Sequence, residues 1–278
     1  MARTEAELKK IANTLRMDVI HMTSAAGSGH PGGSLSSADL MAVLYFEVMN
    51  HRPHDPEWGG RDRFILSKGH VAPILYSALA RSGYFPTEEL ITLRKIGSRL
   101  QGHPVRGKPP GVEMSTGSLG QGLSMACGMA LASKLDGKKH KTYCLLGDGE
   151  LQSGMNWEAA MFASHYELKN LIAFVDRNRL QISGDTEDVI GLEPLTDKWK
   201  AFGWRVKVID GHDIGQIIKA CKWAKGSRKK PSMIILNTVK GQGVSFMEGN
   251  ADFHGKSCNP DEAKCAENEL TEAMRRFE

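Results

Sequence analysis

The sequence predicts an α/β fold, a mostly parallel sheet with helices on both faces. Short apolar or β-branched runs alternate with longer helical stretches along most of the 278 residues. Gly-rich loops follow several of the runs, where a parallel sheet presents its ligand-binding edge. Composition agrees: 41% hydrophobic and 24% charged residues describe an ordinary globular chain with a sizeable core.

From Glu7 onward, Leu8, Ile11, Leu15, Val19 and Met22 recur every three or four residues, placing them on one face of a helix that ends near Ser24. The stretch GSGHPGGS breaks it, and Ser36 with Asp39 fits a capping box that starts a second helix at LMAVLYFEVM. Strands are predicted at RFILS (63–67), TYCLL (142–146), LIAFV (171–175), WRVKVI (204–209) and SMIILNTV (232–239), all read as buried. Helices are predicted over 118–135, 154–167 and 213–225. The division is residues 1–258 as one domain and 259–278 as a C-terminal tail or loosely attached helix.

The net charge of +4 is thinly spread, and the basic cluster at 225–230 contains no aromatic residue to stack a base, which argues against nucleic acid. The five cysteines form no CxxC pair and read as reduced structural thiols. The first residues include early acids and no apolar run, so neither a signal peptide nor a membrane span is expected and the cytoplasm is the default location.

Gly147-Asp148-Gly149 follows the second strand and Asp176-Arg177-Asn178 follows the third. Either alone reads equally well as a turn. Together they bring a carboxylate and an amide oxygen to neighbouring strand ends, a hard donor pair suited to Mg²⁺ or Ca²⁺. Four histidines, His30, His70, His103 and His254, stand beside glycine. One loop histidine is ordinarily a solvated surface residue, whereas four suggest a site lined by imidazoles that bind oxyanions and carry protons. Their spacing does not fit HExxH, and the GxGxxG at 27–32 follows a helix rather than a strand, so zinc and a nicotinamide cofactor are poor expectations. Thr116–Gly122 opens a helix whose free N–H groups could meet an anion, and Lys240-Gly-Gln-Gly243 offers a cation in an open loop.

These segments, SGHPGGSLS, SKGH, QGHP, STGSLGQGLS, LLGDGELQSG, DRN, KGQG and the last HG, resemble in order the diphosphate-binding half of the transketolase family over residues 5–255. The resemblance implies thiamine diphosphate held with Mg²⁺ (or Ca²⁺), and transfer of a two-carbon ketol unit from a ketose phosphate to an aldose phosphate. It assigns the metal to Asp148, Asn178 and the carbonyl of Leu180. It sets His70, Gly149, Lys240 and His254 around the diphosphate, with Glu150 also among the cofactor-binding residues. Gly117 and Leu119 fall near the rings and Asp176 towards the aminopyrimidine, while His30, His103 and His254 attend the donor's hydroxyl protons with His70 close by. Deoxyxylulose phosphate synthases also have GDG, but their early loop and GH-containing loop differ from GHPGG and SKGH; 2-oxo acid dehydrogenase α chains share GDG and a later Asn without the run of glycine-flanked histidines.

Two departures stand out. Ser153 occupies a position where many family members have Glu, although Glu158 keeps a second acidic position of the same network. The family's pyrimidine-binding domain does not follow, so the resemblance implies a separate partner chain, an α2β2 assembly and active sites between chains. Alternatives are a split enzyme for branched or sulfonated sugars, and a non-catalytic subunit of the same fold.

Overall fold

The computed structural model describes residues 3–277. Helix α1 spans Glu5–Ala26; Thr4 and Glu7 form a reciprocal capping box at its start, and Gly27 closes it at φ +61°, a left-handed conformation glycine adopts without steric cost. Two short helices follow, α2 (Pro31–Leu35) and α3 (Ala38–Val43). The expected Ser36–Asp39 capping box is absent. Ser36 Oγ donates instead to the Gly33 carbonyl and to Asp176, and Asp39 is taken up by Arg16 and His212. Tertiary partners outcompete a local cap when the side chains are buried, and both are.

Strand β1 (Arg63–Leu66) leads to α4 (Ala72–Arg81), a helix that the sequence pattern does not announce. Residues 72–80 are all buried, so the segment lacks the apolar–polar alternation that reveals a surface helix. Then come α5 (Gln121–Leu135), β2 (Thr142–Gly147), α6 (Gly154–His165) and β3 (Leu171–Arg177). A two-residue antiparallel pair, β4 (Leu180–Gln181) and β5 (Gly184–Asp185), precedes the short helices α7 (Thr186–Ile190) and α8 (Leu195–Ala201). Strand β6 (Arg205–Asp210), α9 (Ile214–Lys225), β7 (Ser232–Asn237) and α10 (Pro260–Arg275) complete the order.

The five long strands form one parallel sheet in the order β1-β2-β3-β7-β6. Side chains alternate between its faces. Phe64, Tyr143, Leu145, Ile172, Phe174 and Ile234 join the core built with α1, α3, α4 and α9, whereas Ile65, Cys144, Leu146, Ala173, Val175 and Met233 join that built with α5, α6 and α8. All of the predicted strands are present, but β6 is not buried. It is an edge strand, and Val208 on it remains 46% exposed. Helix α10 starts with an Asn259–Glu262 capping box and buries Ala266 and Leu270 against α1. Among the described residues no helix is long and apolar enough to cross a membrane.

Helix α5 lies close to β1 because Gly122 has no side chain: a Cβ there would sit 2.6 Å from the Cα of Ser67. Gly122→Ala is expected to lower stability by about 1–3 kcal/mol, the range for overpacking a tight contact. Urea denaturation checks this, and an unchanged midpoint would mean that the helix can shift freely.

The topology brings four carboxyl ends side by side. Strands β1, β2, β3 and β7 deliver Ser67–His70, Gly147–Glu150, Asp176–Asn178 and Thr238–Lys240 to one edge. The register pairs Gly147 with Asp176 and Arg177 with Asn237, so the loops leave the sheet at nearly one level.

Candidate active site

A cavity of about 490 Å³ opens at this edge. Of the residues singled out in the sequence, His30, His70, Gly117, Leu119, Asp148, Gly149, Glu150, Asn178, Leu180, Lys240 and His254 line it. Three imidazoles form a tight cluster, with ring centres 5.1 Å apart for His30–His70, 5.2 Å for His70–His254 and 5.5 Å for His30–His254. His103 stands behind His30 at 6.5 Å, beside the cavity and not on its wall. Gly117 is at φ +148°, and a Cβ on it would meet the His103 ring at 2.8 Å, so glycine is what allows this loop to lie against the imidazole.

The cluster is uncharged at neutral pH. Burial pushes His30 and His254 down to about 4, helped by the cations nearby, Arg94 and Lys240 for the first and Lys240 and Lys68 for the second, and by the other imidazoles, which oppose a second proton in the cluster. Burial and then Lys68 lower His70 further, to about 2. Lys240 Nζ lies 3.1 Å from His254 Nδ1 and can only donate, which leaves the His254 proton on Nε2. Burial also lowers Lys240, to about 8.

Asp148 caps the turn after β2. Its Oδ1 accepts from Gly149 N at 2.8 Å, and its Oδ2 accepts from Arg179 N at 2.6 Å and Arg177 Nη1 at 3.3 Å. Burial, together with the negative charge of Asp176, raises its carboxyl above the usual range. Asn178 Oδ1 accepts from Leu180 N at 3.0 Å, and the Leu180 carbonyl accepts from Lys240 Nζ at 3.0 Å.

Two assigned residues behave differently from a simple lining role. Asp176 is fully buried behind the cavity wall, where it accepts from Lys68, Ser36, Thr238 and Asn178. Burial alone would raise its carboxyl, but the Lys68 ammonium and these donors hold it below the usual range. Glu150 reaches the wall with both oxygens already engaged: Oε1 accepts from Gly120 N at 2.9 Å and from Ser67, and Oε2 from Gly147 N at 3.0 Å. The Gly120 N–H just before α5 is therefore not free for an anion, contrary to the expectation for the 116–122 loop. Ser153 packs on Gly120, where a Cβ would come within 2.4 Å of Ser153 Oγ, and Glu158 is exposed on α6.

Lys68 gives no sign of its role in the sequence. It lines the cavity at 2% exposure, donates to the Gly33 carbonyl at 3.0 Å and pairs with Asp176. A lysine in a Gly-rich loop reads as a surface residue, and its partner lies 108 residues away. Arg177 is equally silent; it ties Asp148 to Thr186, Glu187 and Glu193.

The donor set fits a diphosphate with a hard divalent cation. Asp148, Asn178 and the Leu180 carbonyl supply only oxygen, and a cation against Asp148 would relieve a buried carboxyl whose ionisation is disfavoured. At the Leu180 carbonyl that cation would share or displace the Lys240 ammonium, which would then be free to meet phosphate oxygens.

The depressed histidines also fix an acid dependence. Above about pH 6.5 folded and unfolded chains both hold them neutral, so they contribute nothing; as pH falls from 6.5 to about 4 the unfolded chain takes up protons that the fold excludes, and stability drops. His70→Asn is expected to make the fall in thermal midpoint over that window shallower. Identical slopes in the two proteins would remove the cluster as the cause.

Residues 7–277 match the family described as transketolase, thiamine diphosphate binding domain. The chain is 47% identical, over 97% of its length and 98% of the relative's, to a 6-deoxy-6-sulfo-D-fructose transketolase subunit of Clostridium sp. (strain MSTE9). It is 42% identical, over 98% and 96%, to an apulose-4-phosphate transketolase subunit of Phocaeicola vulgatus. Transketolase from Campylobacter jejuni has a similar structure, with a TM-score of 0.91 and 37% identity over 99% of this chain, which spans 46% of that one. Matching the family along nearly its whole length, and relatives named as subunits almost from end to end, this chain belongs to the transketolase family as an N-terminal, transketolase-type transferase subunit.

Proposed function

We propose that this chain is the diphosphate-binding subunit of a two-chain transketolase, and that it moves a two-carbon ketol unit between sugars with thiamine diphosphate and Mg²⁺ (or Ca²⁺). The observation that carries the reading is the single cavity edge where three neutral histidines, Lys240 and the oxygen donors of Asp148, Asn178 and Leu180 meet. When bound, the cofactor supplies the nucleophilic carbon and the electron sink for breaking the ketose bond.

The chain's own residues hold and orient. Asp148, Asn178 and the Leu180 carbonyl take the metal; His70, Gly149, Lys240 and His254 face the diphosphate, and Gly117 and Leu119 the rings. Glu150 and Asp176 act from behind, by fixing the Gly120 loop and Lys68. Neutral imidazoles suit the proton work: His30 and His103 can accept a hydroxyl proton and return it, while His254, with Nδ1 turned to Lys240, offers its Nε2 proton to a hydroxyl oxygen. The relatives named as subunits support a separate partner chain; the remaining wall is assigned to it as the pyrimidine-binding subunit, in an α2β2 assembly.

The two end-to-end relatives described above are named for specialised sugars, a sulfonated fructose and apulose 4-phosphate, which favours a specialised donor over a general pentose phosphate role. A donor screen with the reconstituted pair tests this. Ketol release from a sulfonated or apulose-type donor well above that from xylulose 5-phosphate supports the specialised reading. Failure of the pair to take up thiamine diphosphate in calorimetry would favour a non-catalytic role.

A further inference from the structure

The loop carrying Lys240 is tied down by three elements. Thr238 Oγ1 donates to Asp176 on β3, Gly241 N donates to the Gly32 carbonyl on α2 at 3.0 Å, and Val239 N donates to Nε2 of His212 at 2.9 Å. The last bond fixes a tautomer. A backbone N–H can only donate, so Nε2 carries no proton and the ring proton lies on Nδ1. Nδ1 faces Asp39 Oδ2 at 2.8 Å.

Asp39 is itself ion-paired with Arg16, and the two side chains are 7% and 5% exposed. Arg16 is held by Asn13 Oδ1 at 2.9 Å and the Leu35 carbonyl at 3.3 Å, and His212 N by Asp210 Oδ1 at 2.8 Å. A polar relay thus crosses from α1 through α3 to the β6–α9 loop and ends on the backbone next to Lys240. We propose that His212 is a positioning residue: the Arg16–Asp39 pair holds it as the Nδ1–H tautomer, and its Nε2 pins Val239 so that Lys240 points into the anion cradle. The role of Lys240 in holding an anion rests on the function proposed above; the tautomer does not.

Two measurements test it. Histidine-selective ¹⁵N NMR of the chain should show His212 protonated on Nδ1 only, and a proton on Nε2 overturns the relay. Magnesium pyrophosphate is then titrated by calorimetry into the wild type, His212→Gln, His212→Phe and Lys240→Met. Gln keeps an oxygen that can accept from Val239 N and should bind within about threefold of wild type, whereas Phe, which cannot accept, should weaken binding roughly tenfold, the worth of one well-placed hydrogen bond. Wild-type affinity in His212→Phe overturns the proposal. Wild-type affinity in Lys240→Met would sink the anion role of Lys240 instead, leaving the NMR result to judge the relay.

Discussion

Asp148→Ala is expected to lower the affinity of the reconstituted enzyme for thiamine diphosphate with Mg²⁺ by at least about 100-fold, the upper end of what losing a mere hydrogen-bond partner of a metal ligand costs. The carboxylate stands at the end of β2, buried, with its ionisation opposed by burial and by Asp176. A side chain in that position gains most when a cation arrives, because the cation removes the penalty on its charge. The substitution should leave the apo fold close to intact, since Arg177 keeps Glu187 and Glu193 as partners. Calorimetry with the cofactor and circular dichroism of the apo chain separate the two effects. Unchanged affinity with an intact fold would remove Asp148 from the metal site.

Lys68→Met carries the second large effect, on stability. The Lys68–Asp176 pair lies beneath the cavity with side chains 2% and 1% exposed. Deleting one member of a buried pair leaves the other charge uncompensated, at a cost of about 3–5 kcal/mol. Asp176 would keep Ser36, Thr238 and Asn178 as donors, so the lower end of that range applies. Lys68→Met with Asp176→Asn should recover part of the loss, because no buried charge then remains. Urea denaturation of the single and double variants measures both; a loss below about 1 kcal/mol for the single change would show that the pair is already solvated.

Much of this architecture is legible because strands and amphipathic helices write local patterns. The five strand runs and the helix over α1 follow from apolar spacing within a few residues. The glycine-flanked histidines and the GDG and DRN segments are legible as chemistry because each sets particular residue types in a loop or at a strand's carboxyl end. Other features depend on distant partners. Ser36 and Asp39 look like a cap until Asp176 and Arg16 claim them, and Lys68 looks solvent-exposed until the fold sets it on Asp176. Helix α4 hides because it is buried all round, and β6 passes for a core strand because edge position is a property of the sheet and not of the segment.

Ser153 gains a physical setting from the fold. It sits against the left-handed Gly120, one turn from the carboxylate of Glu150 that holds the same loop. Glu158 stands exposed on α6, five residues further on.

The proposed function makes this chain the diphosphate half of an active centre that a second chain completes. Ketol transfer is measured with thiamine diphosphate and Mg²⁺ while a co-purified partner is titrated into a fixed amount of this chain. No turnover is expected without the partner, and activity should rise to saturation at one partner per chain; full activity from this chain alone would contradict a divided active centre.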